Sequence, residues 1–235
     1  MTYVSGELAA GLADMARNLL TQESVQGTLD QIVAHAVDLV DGCEDAGVLV
    51  IEGNEGVRTI AGHSALVRAS DKLQQELGEG PCFDVTRRAQ VVYRIHDITS
   101  TAGRWRRFAP RAQELGIGSI MGFCLYTEDD NLGALNMYSS QPGAFTEASE
   151  QVGWLLASHA AVAFSSARSH AQLTSAIETR NVIGQAMGIL MERYKVSESE
   201  AFVIVKKSSQ NTNTRLRDVA RTIAETGEIP GSRIG

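Results

Sequence analysis

The stretch TRNVIGQAMGILMERY (179–194), with KVSESEAFVIVKKSS (195–209) and QNTNTRLRDVARTIAE (210–225) behind it, decides the fold. Ile183, Met187, Leu190 and Met191 recur at steps of three and four, which puts them on one face of a helix. Ser197-x-x-Glu200 is a capping box that opens a second helix, with Ala201, Phe202 and Val205 on its inner face. Asn213 is placed to cap a third helix, where Leu216, Val219, Ala220 and Ile223 point inward. Three short helices around one small core are expected. Met187, Leu190, Met191 and Phe202 are read as core, without chemistry of their own.

Upstream, no proline stands between Pro142 and Pro230, so a helix can run unbroken from Thr146. Val152, Leu156, His159, Ala163, Ser166, His170, Leu173 and Ile177 alternate steps of four and three, as in a coiled-coil seam. The Ser and His members weaken that seam, and a helix packed on its own sheet stays open as the other reading. Before it, Leu8, Leu12, Ala16 and Leu19 mark one helix and Ser24 to Val40 a second. AGVLVIE and VRTIAG form a hairpin around Gly53-Asn54-Glu55-Gly56, and segment 66–77 is a helix stopped by Gly78. VVYRI is a strand, Arg104 to Leu115 a helix, and SIMGFCLYTEDD with ALNMYSS a second hairpin around an Asn-Leu-Gly turn, closed by Gln141-Pro142-Gly143. That order predicts a layered α+β domain with a mostly antiparallel sheet.

Charge separates the two regions. The 235 residues carry a net −7, yet residues 172–235 hold nine Lys/Arg against seven Asp/Glu, a net +2 that leaves −9 on the rest. A mildly basic tail on an acidic body suits a small nucleic-acid module. No run reaches the roughly 18–20 apolar residues of a membrane helix. The N-terminus lacks the basic segment and apolar run of a signal peptide. Cys43, Cys82 and Cys124 are odd in number and widely spaced, which predicts reduced thiols in a cytoplasmic protein, with neither a disulfide framework nor a zinc site. His63, His96, His159 and His170 have no metal-ligand spacing, and no P-loop, Ser/His/Asp or paired-carboxylate pattern suggests catalysis.

The last 60 residues resemble an ANTAR domain, a small RNA-binding module. The matching residues are Arg180, Ile183, Ala186, Gly188-Ile189-Leu190-Met191, Ala201-Phe202, Ser209-Gln210, Asn213 and Arg215-Leu216-Arg217-Asp218-Val219-Ala220. Met187 departs from the pattern, which has lysine there. LGEGPCFDV, GIGSIMGFCLY and LGALNMYSSQPGAF resemble the GAF domains fused to ANTAR domains in actinobacterial regulators. The resemblance implies a six-stranded antiparallel sheet flanked by helices, able to hold a small molecule whose identity the fold does not give. It divides the chain into an N-terminal helix (1–23), a GAF-like sensor (24–168), a helical stalk (146–180) overlapping the junction, an all-α three-helix ANTAR domain (172–228) and a tail (229–235).

The resemblance also implies function: binding of stem-loops in nascent RNA to prevent terminator formation, beside RNA polymerase, by a homodimer joined along the stalk. Candidate RNA contacts are Arg180, Lys206, Lys207, Ser209, Gln210, Asn213, Arg215, Arg217 and Arg221. Guanidinium groups pair with phosphates and base edges, and Arg217 and Arg221 share a helix face. Ser209, Gln210 and Asn213 are read as a turn before the third helix, within reach of loop bases. The plainer reading is a solvated surface with Asp218 and Glu225 as intrahelical partners. Gly80, Pro81 and Cys82 are candidates to border the sensor pocket; no cofactor or metal is evident. Two other functions compete. The last two helices suit a DNA-binding helix-turn-helix. The cysteines suit a thiol redox sensor or methionine sulfoxide reductase, although Glu79 and Asp84 beside Cys82 disfavour its thiolate.

Overall fold

A computed structural model describes residues 6–51, 57–62, 64–81, 92–101, 103–127 and 131–231. The chain divides into two units, Met1–Arg168 and Ser169–Gly235.

The first unit contains α1 (Gly6–Leu20), α2 (Val25–Leu39), β1 (Asp45–Ile51), β2 (Val57–Ala61), α3 (Ala65–Leu77), β3 (Val92–Ile95), α4 (Phe108–Glu114), β4 (Ser119–Tyr126) and β5 (Asn131–Ser139). It ends within α5 (Glu147–Tyr194), a single 48-residue helix. Local chemistry sets these boundaries. The Ser24 and Ser64 hydroxyls accept from the backbone N–H of Gly27 and Val67, each at 3.0 Å, satisfying donors that a helix start leaves open. Gly78, left-handed at φ 61°, stops α3.

The strands pair antiparallel throughout in the order β2-β1-β5-β4-β3. The resemblance implied six strands; the described residues contain five. The Asn-Leu-Gly turn is also corrected. Those residues lie inside β5, and residues 128–130 between the strands fall outside the described residues. Gly133 serves close approach instead: at φ 135°, a Cβ there would stand 2.0 Å from the Leu49 carbonyl oxygen of β1.

Alternation along each strand gives the sheet two buried faces. One carries Ala46, Val48, Met121, Phe123, Leu125, Leu135 and Met137 against α1, α2 and the first turns of α5. Gly153 brings α5 close, since a Cβ there would meet the Phe123 ring at 2.5 Å, and the Ser149 hydroxyl pins the helix start to the Asp41 carbonyl at 2.9 Å. The other face packs Ile95, Ile120 and Tyr138 against Val67 and Leu73 of α3 and Phe108, Ala109 and Ala112 of α4.

The reading of a helix packed on its own sheet holds for the first part of the long seam, and its last apolar members are exposed. Leu156 and Ala163 are buried in the first unit and Val152 is half-buried, whereas Leu173 and Ile177 are 64 % and 62 % exposed.

The second unit consists of the end of α5, α6 (Glu198–Thr212) and α7 (Leu216–Thr226). Ala186, Leu190, Ala201, Val205, Val219, Ala220 and Ile223 form its core. The capping box is closed: Glu200 N–H donates to the Ser197 hydroxyl, and Ser197 N–H to the Glu200 carboxylate at 2.8 Å. Three sequence expectations change. Met191 and Phe202 are 36 % and 42 % exposed, because the core stripe of α6 runs through Ala201, Val205 and Ser208, and Phe202 lies 100° round from Ala201. Asn213 does not cap the third helix; α6 continues to Thr212, and Asn213, at φ 50°, closes its C-terminus. Arg215 occupies the N-cap of α7, without a side-chain cap.

Candidate functional site

In the first unit, α3 turns a polar stripe inward. Ser70, Asp71 and Gln74, at i, i+1 and i+4, are all buried. Asp71 accepts from the Thr59 hydroxyl of β2 and, at 3.4 Å, from the Tyr138 hydroxyl of β5. Burial pushes its carboxyl up to about 6, against the opposing pull of those two bonds. The Ser70 hydroxyl has no hydrogen-bond partner among the described residues. Across the same sheet face, Tyr93, Gly122, Asn136 and Gly47 stand in one cross-strand row. The Tyr93 hydroxyl donates to Asn136 at 2.6 Å, and its ring fills the place of a Gly122 side chain. Leu49 and Ala134 form a small cluster one row away, beside half-buried Cys124.

Gly80 and Pro81 are buried next to this stripe, where a Gly80 Cβ would meet the Gln74 side chain at 2.5 Å. Their loop is fixed by Glu79, which accepts from the Arg107 side chain at 2.9 Å and from the backbone N–H groups of Arg107 and Phe108 at 2.8 and 3.2 Å. Those bonds hold the Glu79 carboxyl below the usual range. Cys82 lies outside the described residues. Burial pushes the Cys43 thiol up to about 12 and raises that of Cys124, so both favour the unreactive protonated form. His63 is likewise not described, and no group of three metal-ligating side chains occurs among the described residues.

In the second unit, residues 201–217 hold Lys206, Lys207, Arg215 and Arg217 and not one carboxylate. Lys206 and Lys207 are exposed on α6, Arg215 at the start of α7 and Arg180 on α5. Arg217 is half-buried, its Nε 3.5 Å from Asp218 Oδ1; Arg221 lies 3.9 Å from the same oxygen. The Arg217 Nε is itself buried without a hydrogen-bond partner among the described residues, whereas the more exposed Arg221 pair is of a kind that contributes about 0–1 kcal/mol, so a phosphate can displace it. Ser209 and Gln210 belong to the last turn of α6, not to a loop. The Ser209 hydroxyl donates to the Thr214 carbonyl at 2.6 Å, which ties the turn that presents Arg215. Met187 packs half-buried against the core of the unit. A groove of about 910 Å³ between α5 and α7, lined by Gln185, Gly188, Ile189, Glu192 and Ala224 with the cations Arg193 and Lys195, includes none of the nine predicted contacts.

Sequence reasoning missed Ser70, Asp71, Gln74, Tyr93 and Asn136, because polar residues in an amphipathic helix and a mid-strand asparagine read as surface. Phe202 was legible only as apolar.

An antiparallel sheet buried between two helical layers, with polar groups gathered under one of them, defines a layered α+β domain. A GAF domain family model matches residues 22–165, more than half of the chain, and the chain belongs to that family. An ANTAR domain model matches residues 171–223, so the protein is a GAF–ANTAR regulator. GAF and ANTAR domains are regulatory, not catalytic. Solved structures agree on the fold. The GAF domain of an Acinetobacter phosphoenolpyruvate-protein phosphotransferase is 18 % identical with a TM-score of 0.55, covering 71 % of this chain and 97 % of that one. Its Coxiella burnetii counterpart is 18 % identical with a TM-score of 0.52, covering 70 % and 96 %. Bacteriophytochrome RpBphP3 from R. palustris is 12 % identical with a TM-score of 0.60, covering 88 % of this chain but 48 % of that one. A comparison with curated proteins finds no significant match. No described helix is long and apolar enough to cross a membrane.

Proposed function

We propose that this protein is a signal-responsive transcription antitermination regulator and not an enzyme. Its GAF domain senses a small molecule, and its ANTAR domain binds stem-loops in nascent RNA beside the polymerase, favouring read-through over the terminator. The observation that carries the reading is the ANTAR match over a three-helix unit whose segment 201–217 has four cations and no acid. Stem-loops offer phosphates for such a surface and unpaired bases that paired helices hide.

Two further parts of the reading have their own support. The buried polar stripe of α3 beside Gly80 and Pro81 supports a ligand pocket between that segment and the sheet, since a buried hydroxyl such as that of Ser70 favours a polar occupant. Exposed Leu173 and Ile177 support a homodimer joined along α5.

The deciding experiment titrates labelled stem-loop RNA and duplex DNA against the protein at matched salt. Tighter binding to the stem-loop is expected. The short turn between α6 and α7 also suits a helix-turn-helix, so preference for duplex DNA would replace this reading with that one.

A further inference from the structure

Phe202 and Val203 stand on the open side of α6, 42 % and 48 % exposed. At 100° per residue, Ser199, Phe202, Val203, Lys206 and Gln210 fall in one stripe, turned away from Ala201, Val205 and Ser208. Glu198 stands exposed one turn before Phe202, in the first turn of α6, but the rest of the stripe contains no carboxylate, and Lys206, one turn after Phe202, has no ion pair among the described residues. A phenylalanine held in water forfeits the transfer free energy that burial would bring, and the small core closes without it.

Resting on the RNA reading above, we propose that Phe202 is a stacking platform for an unpaired base of the RNA loop. Lys206 holds the flanking phosphate, and the Gln210 amide reaches the edge of a neighbouring base. Loop nucleotides leave their apolar faces in water, and a surface aromatic can cover one of them whatever its sequence. Side chains four residues apart on a helix have Cβ atoms about 5–6 Å apart, which brings the ammonium beside a nucleotide seated on the ring. Charge favours RNA over a protein partner, because residues 201–217 hold four cations and no acid while Glu198 and Glu200 are confined to the first turn of α6, where they complement the helix N-terminus. An apolar protein surface docked here would desolvate Lys206 and Lys207 against nothing, whereas RNA brings base face and phosphate together.

The test uses the full-length protein and two RNA probes: hairpins sharing one stem with a randomised loop, and the same stem as a blunt duplex. Phe202→Leu keeps the volume and loses the ring face; Phe202→Tyr keeps the face. Neither should alter circular dichroism or thermal unfolding, because the side chain is outside the core. Phe202→Leu is expected to weaken hairpin binding about tenfold with an unchanged salt slope, and to leave duplex binding as in wild type. Phe202→Tyr should bind like wild type. Lys206→Ala should weaken hairpin and duplex alike and lower the salt slope by roughly 0.7–0.9. The proposal is overturned if Phe202→Leu binds hairpins as wild type does. It is also overturned if that variant loses both probes equally while its sedimentation shifts, which would make the stripe a protein contact. A wild type that binds no hairpin brings down the RNA reading as well, a result distinct from either.

Discussion

Asp71 offers a direct measurement of the sensor interior. Its carboxyl is 6 % exposed and is pushed from 3.8 up to about 6 by burial. The native carboxyl therefore keeps its proton to a higher pH than the unfolded one. Its protonation stabilises the fold fully below about pH 4, and this contribution is lost as pH climbs to about 6. A shift of about two pKa units corresponds to about 3 kcal/mol. Asp71→Asn cannot ionise, so its stability relative to wild type should rise by about 3 kcal/mol between about pH 4 and pH 7. Losing an acceptor for Thr59 and Tyr138 shifts the comparison by an amount that varies little with pH. Glu44, Glu79, Asp97 and Glu200 are shifted downward and give stability in the opposite sense, but they are common to both proteins and cancel. The assay is urea unfolding of both proteins across that range, followed by circular dichroism. A stability difference that stays flat with pH would refute the assignment of Asp71 as a buried, reluctantly ionised group.

Other expectations follow from the same geometry. Leu173→Lys should raise the dimer dissociation constant about tenfold or more without changing thermal stability of the separated chain, as sedimentation would show; an unchanged constant excludes this stripe from the seam. Leu156→Ala, by contrast, opens a cavity in the first unit and should lower unfolding free energy by about 2–5 kcal/mol in chemical denaturation. Arg215→Ala with Arg217→Ala should lower the salt slope of stem-loop binding by roughly 0.7–0.9 for each phosphate no longer neutralised; an unchanged slope removes α7 from the RNA face. Cys43 and Cys124 should react slowly with iodoacetamide at neutral pH, measured by mass spectrometry, and rapid labelling of either would reopen the thiol-sensor reading.

The fold was legible wherever one local signal sufficed. The Ser197-x-x-Glu200 box and Gly78 after α3 follow from short-range chemistry that acts within a few residues; β1 and β2 pair antiparallel as expected, while the Gly53-Asn54-Glu55-Gly56 turn lies outside the described residues. It was not legible where a tertiary contact overrides that chemistry. Asn-Leu-Gly reads as a turn, but Gly133 is there because the Leu49 carbonyl leaves no space for a side chain. Asn213 reads as an N-cap through its side-chain acceptor, but a different property, its tolerance of a left-handed backbone, lets it end α6. The site divides in the same way. The cations were visible as charge, whereas Asp71 and Gln74 look like the outer face of an amphipathic helix until the sheet is laid over them. The apolar step at 201–202 fixes which residues are greasy, not which of two neighbours the core takes.

The seam bears on which cations remain for RNA. Within the second unit the steps of four and three do not stop at Ile177; Arg180, Gly184, Met187, Met191 and Tyr194 continue them along α5. Leu173, Ile177, Met191 and Tyr194 on that line are all exposed, and a Gly184 Cβ would meet nothing within 4 Å. Apart from Met187, which packs half-buried against the core of the unit, this is a helix face open to another helix, with one small residue permitting close approach. Arg180 lies in the middle of it. In the proposed dimer, if paired parallel and in register along this line, Arg180 would face its own counterpart, and like charges that close would raise the cost of association unless an anion lay between them. The same residue cannot be both a seam position and an independent outer contact. On the proposed RNA reading, the independent phosphate contacts would then be Lys206 and Lys207 on α6 and Arg215, none of which shares the line. If the proposed dimer and the proposed RNA contact both form, they would be coupled through one side chain, since a phosphate bound between two Arg180 groups would tighten the dimer.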